Sequence, residues 1–272
     1  MESQHAKAAR FLASHRQRTP LLVPNPWDQG SARLFEWLGF AALATTSSGL
    51  ATTRGRRDGS MGRDEILANA AGIVEATTLP VSADLEHGFG DDPADVAETV
   101  RLALGCGLAG CSIEDSSGRS DSPLYGMAVA AERLAAAAEV AHAGPVHLVL
   151  TGRAENHLHG VLDLGDTITR LQAYQEAGAD VLYAPGLTDI GDIRRLVDSV
   201  DRPVNVLARP GGPTVGELAD AGVARISVGG ALCFAALGSV ARAATELLHE
   251  GTFGFWDESA LGREVALAAF VE

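Results

Sequence analysis

The stretch Val81-Ser82-Ala83-Asp84-Leu85-Glu86-His87-Gly88-Phe89-Gly90 holds the residues best suited to chemistry. A short apolar run after Pro80 leads into two acids and a glycine-rich turn. In an extended strand, side chains at i and i+2 share a face. Asp84 and Glu86 are therefore expected to project together from the C-terminal end of that strand if the extended geometry persists. Hard oxygen ligands at this spacing suit Mg2+ or Mn2+. Gly88 and Gly90 let the backbone turn close to a ligand. The competing reading is a solvated acidic loop that caps the next helix.

Such residues need elements that bring them to one place. Segment 3–17 reads as a helix, after which short apolar strands alternate with amphipathic helices. Strands are expected at 21–23, 41–45, 81–84, 109–113, 146–151, 181–184, 204–207 and 225–228. A long polar loop is expected over 46–62, and a last helix over 231–249. Gly39, Gly107, Gly178 and Gly222 stand where helix-ending glycines do. Eight strand–helix units in a row predict an α/β fold with a parallel sheet closed into a (β/α)8 barrel, as one domain over 1–272. The tail after 250 carries Phe253, Phe255 and Trp256 and is expected to pack on the barrel or on a neighbouring subunit.

Barrel active sites lie at the C-terminal ends of the strands. Those ends carry Asn25, Trp27 and Asp28; Thr45, Thr46, Ser47, Ser48 and Gly49; Asp84 and Glu86; Glu114 and Asp115; Arg153 and Glu155; Asn205; and Gly229 and Gly230. Acids, an arginine and hydroxyls converging on one rim make a metal-plus-anion constellation.

Composition narrows the choices. The formal charge of −14 and pI near 4.9 leave no basic patch for nucleic acid and disfavour an anionic membrane surface. The N-terminal segment lacks an apolar signal core, so a cytoplasmic location is expected. Three cysteines, Cys106, Cys111 and Cys233, form no CxxC pair and suggest no disulfide framework. Lys7 is the only lysine and lies in the N-terminal segment, which argues against Schiff-base and pyridoxal phosphate chemistry.

The motifs Pro24-Asn25-Pro26-Trp27-Asp28, Thr45-Thr46-Ser47-Ser48-Gly49, the segment from Asp84 to Gly90, Ile113-Glu114-Asp115 and Gly152-Arg153-Ala154-Glu155-Asn156 occur in that order. Together they resemble the isocitrate lyase / phosphoenolpyruvate mutase superfamily over about residues 21–248. The resemblance implies a (β/α)8 barrel, commonly a homotetramer built as a dimer of dimers that exchange the eighth helix. It also implies Mg2+ bound with an α-oxo acid or its enolate. By position, Asp84 would be the direct metal ligand, and Glu86 and Glu114 would hold metal-bound waters. Asp58 would reach the same water shell. Arg153 would bind the substrate carboxylate, together with Ser47, Ser48 and Gly49. A retro-aldol cleavage leaves an enolate, whose charge a chelated divalent ion stabilises; the planar fork of Arg153 matches a carboxylate.

The sequence departs from the family in the segment after the fourth strand. The lyases carry a Lys-Lys-Cys-Gly-His-type segment there, and the mutase and phosphonopyruvate hydrolase carry a gate with lysine and asparagine. Here the gate runs from Ser116 to Gly126 without cysteine, lysine, histidine or asparagine. Oxaloacetate decarboxylase, a third branch, needs no protein acid for its leaving group. Tyr125 and Arg119 lie in the gate, and Tyr125 is a candidate for proton work. His87 follows the acidic pair. His157 and His159 alternate with Glu155 in a way that could hold a metal or simply form a polar loop. Trp27 and Asn205 are expected to line the substrate site.

The expectation is a Mg2+-dependent lyase-type enzyme acting on a small α-oxo or 2-hydroxy carboxylic acid through a metal-bound enolate, by C–C cleavage or decarboxylation. The alternatives are C–P cleavage, a phosphate-ester barrel that uses Gly211-Gly212-Pro213 and Gly229-Gly230 as its anion corner, and a non-catalytic oxo-acid-binding barrel.

Overall fold

In a computed structural model, which describes residues 2–270, each short apolar run forms a strand and each amphipathic stretch a helix that covers it. In chain order the elements are α1 (Gln4–Ser14), β1 (Leu21–Val23), α2 (Gln29–Trp37), β2 (Leu43–Ala44), α3 (Ser47–Thr53), α4 (Arg63–Ala76) and β3 (Val81–Asp84). Then follow α5 (Pro93–Gly105), β4 (Gly110–Glu114), α6 (Met127–His142), β5 (Val149–Arg153), α7 (Leu164–Glu176) and β6 (Val181–Tyr183). The chain ends with α8 (Ile190–Asp198), β7 (Val204–Leu207), α9 (Val215–Asp220), β8 (Arg225–Ser227), α10 (Ala231–His249) and α11 (Trp256–Ala269).

All eight strands run parallel in the order β1-β8-β7-β6-β5-β4-β3-β2. The fold is the expected (β/α)8 barrel. Strands β1 and β2 share no ladder; one backbone bond, from Ala44 N–H to the Pro24 carbonyl at 3.2 Å, crosses that seam. The Asn25 side chain does the remaining closing. Its amide donates to the carbonyls of Ala44 (3.0 Å) and Thr45 (3.3 Å), and its carbonyl accepts from the Val228 (2.9 Å) and Gly229 (2.8 Å) amides. Backbone groups that a ladder would satisfy are thus satisfied by one side chain.

The larger core lies between the barrel and its helices, with Ile73, Val100, Leu134, Leu148, Leu171 and Ile193 buried in it. A second core closes the N-terminal end. There Phe11 and Ala8 of α1 pack among Leu21, Val149 and Val181, and full burial of a side chain like Phe11 contributes roughly 2 kcal/mol. His15, just past α1, donates from Nδ1 to the Phe11 carbonyl at 2.8 Å, which leaves Nε2 facing Arg225 Nη1 at 3.4 Å. Burial, with the Arg225 charge adding to it, pushes the His15 pKa down to about 3.

Some local expectations change. Residues 46–62 are not all loop: Thr46 caps α3 by accepting from the Gly49 amide at 3.2 Å, and a capped turn outweighs the weak helix propensity of a Ser/Thr/Gly stretch. The fifth strand starts at Val149 rather than 146, because pairing with β4 begins there. Consequently Arg153 is the last strand residue rather than a loop residue. The tail forms α11, which lies against α2. Helix α10 is covered by little of the chain: Leu237 is 50% exposed, Val240 65% and Leu248 76%.

Candidate active site

A cavity of about 300 Å³ opens at the C-terminal ends of the strands, and Ser47, Ser48, Asp58, Asp84, Arg153 and Asn205 line it. The register explains why the charges meet. Asp84 pairs with Ser112 across β3–β4, and Glu114 pairs with Arg153 across β4–β5, each at or near a strand's last residue. Arg153 Nη1 lies 3.2 Å from Glu114 Oε2 and 3.7 Å from Asp84 Oδ1, and Nε donates to Glu155 Oε1. Ser47 Oγ sits 3.1 Å from Asp84 Oδ2 and 3.2 Å from Asp58 Oδ1, so one hydroxyl joins two acids.

Glu86 reaches the cluster by a different route from the one its spacing suggests. The strand stops at Asp84, and Glu86 takes a left-handed backbone with φ 49°. Its amide donates to Asp84 Oδ1 at 3.2 Å, which closes a tight turn. A non-glycine residue in this region carries strain. The carboxyl that results is buried, and its Oε1 has no hydrogen-bond partner among the described residues. Burial, the nearby Asp84 and Asp58 charges and a partial offset from Arg153 push Glu86 up to about 8. Glu114 is likewise raised, first by burial and then by its acidic neighbours against the pull of Arg153. For Arg153 burial works against the charge, and Glu114, Glu155 and Asp84 more than restore it.

The cluster therefore holds more carboxylate than its arginine neutralises, and it includes an orphaned buried oxygen. That donor set of hard oxygens, crowded at one point, fits a divalent cation.

The turn that places Glu86 is held from behind by a residue that no motif singles out. Arg133 of α6 is 1% exposed. Its guanidinium donates to the carbonyls of His87, Gly90 and Asp91. An arginine inside an alanine-rich helix was the available signal. Gly90 is required by packing, since a Cβ there would stand 2.3 Å from Asp95 Cβ. His87, half-buried with its pKa lowered first by burial and then by Arg133, does not line the cavity.

Other expected residues land elsewhere. Tyr125 is 6% exposed and does not line the cavity. Its hydroxyl donates to Asp91, which also accepts from Arg119, and Arg133 lies 4.1 Å from its ring centre. Burial and then the Asp91 bond raise its pKa, so the phenol is held protonated. Trp27 packs edge-on against Phe35 and is not a lining residue. Gly49 is needed for space: a Cβ would stand 2.6 Å from Thr46 Cγ2, and its amide already serves the α3 cap. Asn205 does line the cavity, but its amide bonds Ser227 and its carbonyl accepts from Arg225.

Asp115 faces away, fixed by the Glu155 amide, Arg170 and Tyr174. His157 and His159 do not share a ligand position; their Nε2 atoms meet Thr167 at 2.9 Å and Ser116 at 3.4 Å respectively. The cysteines are free, and burial raises Cys111 to about 12. The Val228 and Gly229 amides are consumed by Asn25, which removes donors a phosphate corner would use.

Two lining arginines had not been anticipated, Arg209 and Arg225. Arg225 is 5% exposed and bonds Asn205 and Thr151. It makes no carboxylate contact among the described residues, and burial lowers its pKa to about 10.

Comparison with known proteins agrees with this geometry. The phosphoenolpyruvate phosphomutase family profile matches residues 11–248. The chain belongs to the isocitrate lyase / phosphoenolpyruvate mutase superfamily. An uncharacterized protein of Mycobacterium tuberculosis is 34% identical over 236 residues, covering 86% of this chain and 87% of its own. The 2-methylisocitrate lyase of Escherichia coli K12 is 28% identical over 210 residues, covering 74% and 70%. A Burkholderia cenocepacia J2315 structure, provisionally described as a lyase/mutase, is 50% identical with a TM-score of 0.95, covering 98% and 97%. Superfamily members also include an oxaloacetate decarboxylase and a phosphonopyruvate hydrolase. Similarity to C–C lyases supports a lyase for this chain.

Proposed function

We propose that this superfamily member is a Mg2+-dependent lyase that breaks a C–C bond in a small α-oxo or 2-hydroxy carboxylic acid, with decarboxylation of an oxo diacid as the leading reaction. The observation that carries this reading is the surplus of carboxylate around Arg153, with the buried Glu86 oxygen, unpartnered among the described residues, close enough to feel the Asp84 and Asp58 charges. Asp84 would hold the cation directly, and Glu86, Glu114 and Asp58 would hold its waters; Mn2+ suits the same oxygens. Bound there, the cation supplies a Lewis acid for the oxo and carboxylate oxygens as enolate charge develops.

The chain's own groups do the rest. Arg153 makes no hydrogen bond through Nη2 among the described residues and so keeps a donor for the substrate carboxylate. Ser47 and Ser48 add hydroxyls to the same lining. Arg209, which also lines the cavity, suits a second carboxylate, whereas the Arg225 guanidinium is already bonded to Asn205, Thr151 and His15. Decarboxylation is favoured because the gate's proton donors are committed: Tyr125 and Arg119 both bond Asp91. Neutral CO2 needs no proton on leaving, and the enolate left behind takes its proton from water, whereas retro-aldol cleavage must remove the hydroxyl proton and also protonate the carbanion it expels.

Proton NMR of the pure protein with Mg2+ tests this against oxaloacetate, methylisocitrate, dimethylmalate and phosphonopyruvate, with a chelator in parallel tubes. Chelator-sensitive pyruvate from oxaloacetate, above the metal-only rate, is the expected result. Pyruvate from phosphonopyruvate alone would move the chain to C–P chemistry. Tight oxo-acid binding without turnover would leave a binding protein.

We also infer a cytoplasmic homo-oligomer, of the dimer-of-dimers kind. Helix α10 is long and apolar enough to span a membrane by composition, yet 6% of its apolar window is buried. Phe234, Leu237 and Val240 project from it, and a second copy of this chain is the partner that such a face on an acidic barrel suits best.

A further inference from the structure

The opposite end of the barrel carries a second cluster. Asp180, just before β6, lies between His142 at the end of α6 and His147 before β5. His142 Nε2 is 3.0 Å from Asp180 Oδ2, and His147 Nε2 is 2.9 Å from Asp180 Oδ1. The two imidazoles stack with centroids 4.1 Å apart and planes 7° from parallel. One ligand atom from each of the three residues lies within 4.8 Å of the others. The carboxylate is anchored independently, because Oδ2 also accepts from the Leu150 amide at 2.9 Å.

We propose that His142, His147 and Asp180 form a transition-metal site for Zn2+ or a similar late divalent ion, separate from the Mg2+ site. Ligands about 2.0–2.1 Å from a tetrahedral ion stand roughly 3.3 Å apart. The Nε2–Oδ separations, each to a different carboxylate oxygen, lie a few tenths below that value, and one imidazole must turn out of the stack for both nitrogens to face a shared ion. Two imidazoles and one carboxylate select a borderline ion over Mg2+, which prefers oxygen and water.

Three protein ligands leave a fourth position open, and here it faces a cleft of about 810 Å³. Arg16, Arg18 and Arg202 line the same cleft, so the exchangeable ligand would be an anion, a carboxylate or phosphate. The ion would tie the end of α6 to the starts of β5 and β6. Its effect is therefore on the stability of the barrel's N-terminal end rather than on chemistry at the mouth.

The test uses full-length, tag-free protein stripped with chelator and titrated with Zn2+ by calorimetry. The same titration is run with Mg2+, with Asp84→Ala and with His147→Ala. His147 is half-exposed, and its removal leaves Asp180 bonded to His142 and Leu150, so the fold survives. One Zn2+ equivalent retained in Asp84→Ala and weakened at least roughly tenfold in His147→Ala is the expected result. The metal should also raise Tm by about 5 °C at a hundredfold excess over Kd. Zn2+ binding unchanged in His147→Ala, or lost in Asp84→Ala, would overturn the site, as would no Zn2+ binding at all.

Discussion

Asp84 and Arg153 stand 3.7 Å apart with different expected duties. Replacing Asp84 with alanine should weaken Mg2+ binding and cost at least about a hundredfold in kcat. In the metal-free protein it relieves charge crowding but removes the acceptor of the Glu86 amide, so the stability should change little. Calorimetry with Mg2+ beside a melting curve reads both; full activity in that variant would remove Asp84 from the site. Arg153→Ala should raise KM roughly tenfold or more as the charged contact to substrate is lost. It should also lower stability, since Glu114 and Glu155 lose their counter-charge. An unchanged KM with only the stability loss would make Arg153 a purely structural residue. Asp84, Glu114 and Arg153 were legible in the sequence because strand ends are legible. Glu86 was named for the wrong geometry, since a left-handed turn replaces the alternation. Arg133 and Arg225 were not legible: each is defined by partners about twenty or more positions away, and nothing local marks them.

Among the elements, α1 behaves as a stopper for the barrel's N-terminal end, and its buried histidine gives it a pH dependence. The folded pKa of His15 lies near 3 and the unfolded value near 6.5. Between these values the unfolded chain takes up a proton that the folded chain refuses. Stability is therefore full above about 6.5 and falls with pH below it, by up to about 1.4 kcal/mol per unit. Urea titrations should show that His15→Gln removes about 2 kcal/mol of the stability difference between about pH 7 and about pH 5. Equal pH slopes in the two proteins would show that His15 is not the sensor. The strand and helix pattern could be read from apolar spacing alone. The short helix α3 could not, because Ser, Gly and Thr carry no helical periodicity and only the Thr46 cap reveals it.

At the scale of the whole molecule, eight units predicted a closed barrel, and their count was the most legible feature of the sequence. What covers α10 was not, because an apolar helix reads the same whether it faces a core, a membrane or a second copy. Light scattering after gel filtration should give a multiple of the 28.2 kDa chain mass. Val240→Glu should shift it toward the monomer while leaving the barrel folded, since Val240 is 65% exposed. A monomeric wild-type protein would sink the assembly, and flotation with detergent-free vesicles would then point to a membrane instead.

The stitch at Asn25 has a consequence for how the barrel breathes. Seven of its junctions are ladders, while the eighth hangs on one backbone bond and one side chain. Thr45 and Ser47 line the cavity from the β2 bank of that seam and Asn25 from the β1 bank, with Gly229 bonded to Asn25 beside it. An occupant that touches both banks acts as a clasp. Ligand binding and amide hydrogen exchange are then two readings of a single equilibrium, with the amides of Ala44, Val228 and Gly229 exchanging more slowly in the loaded protein than in the empty one.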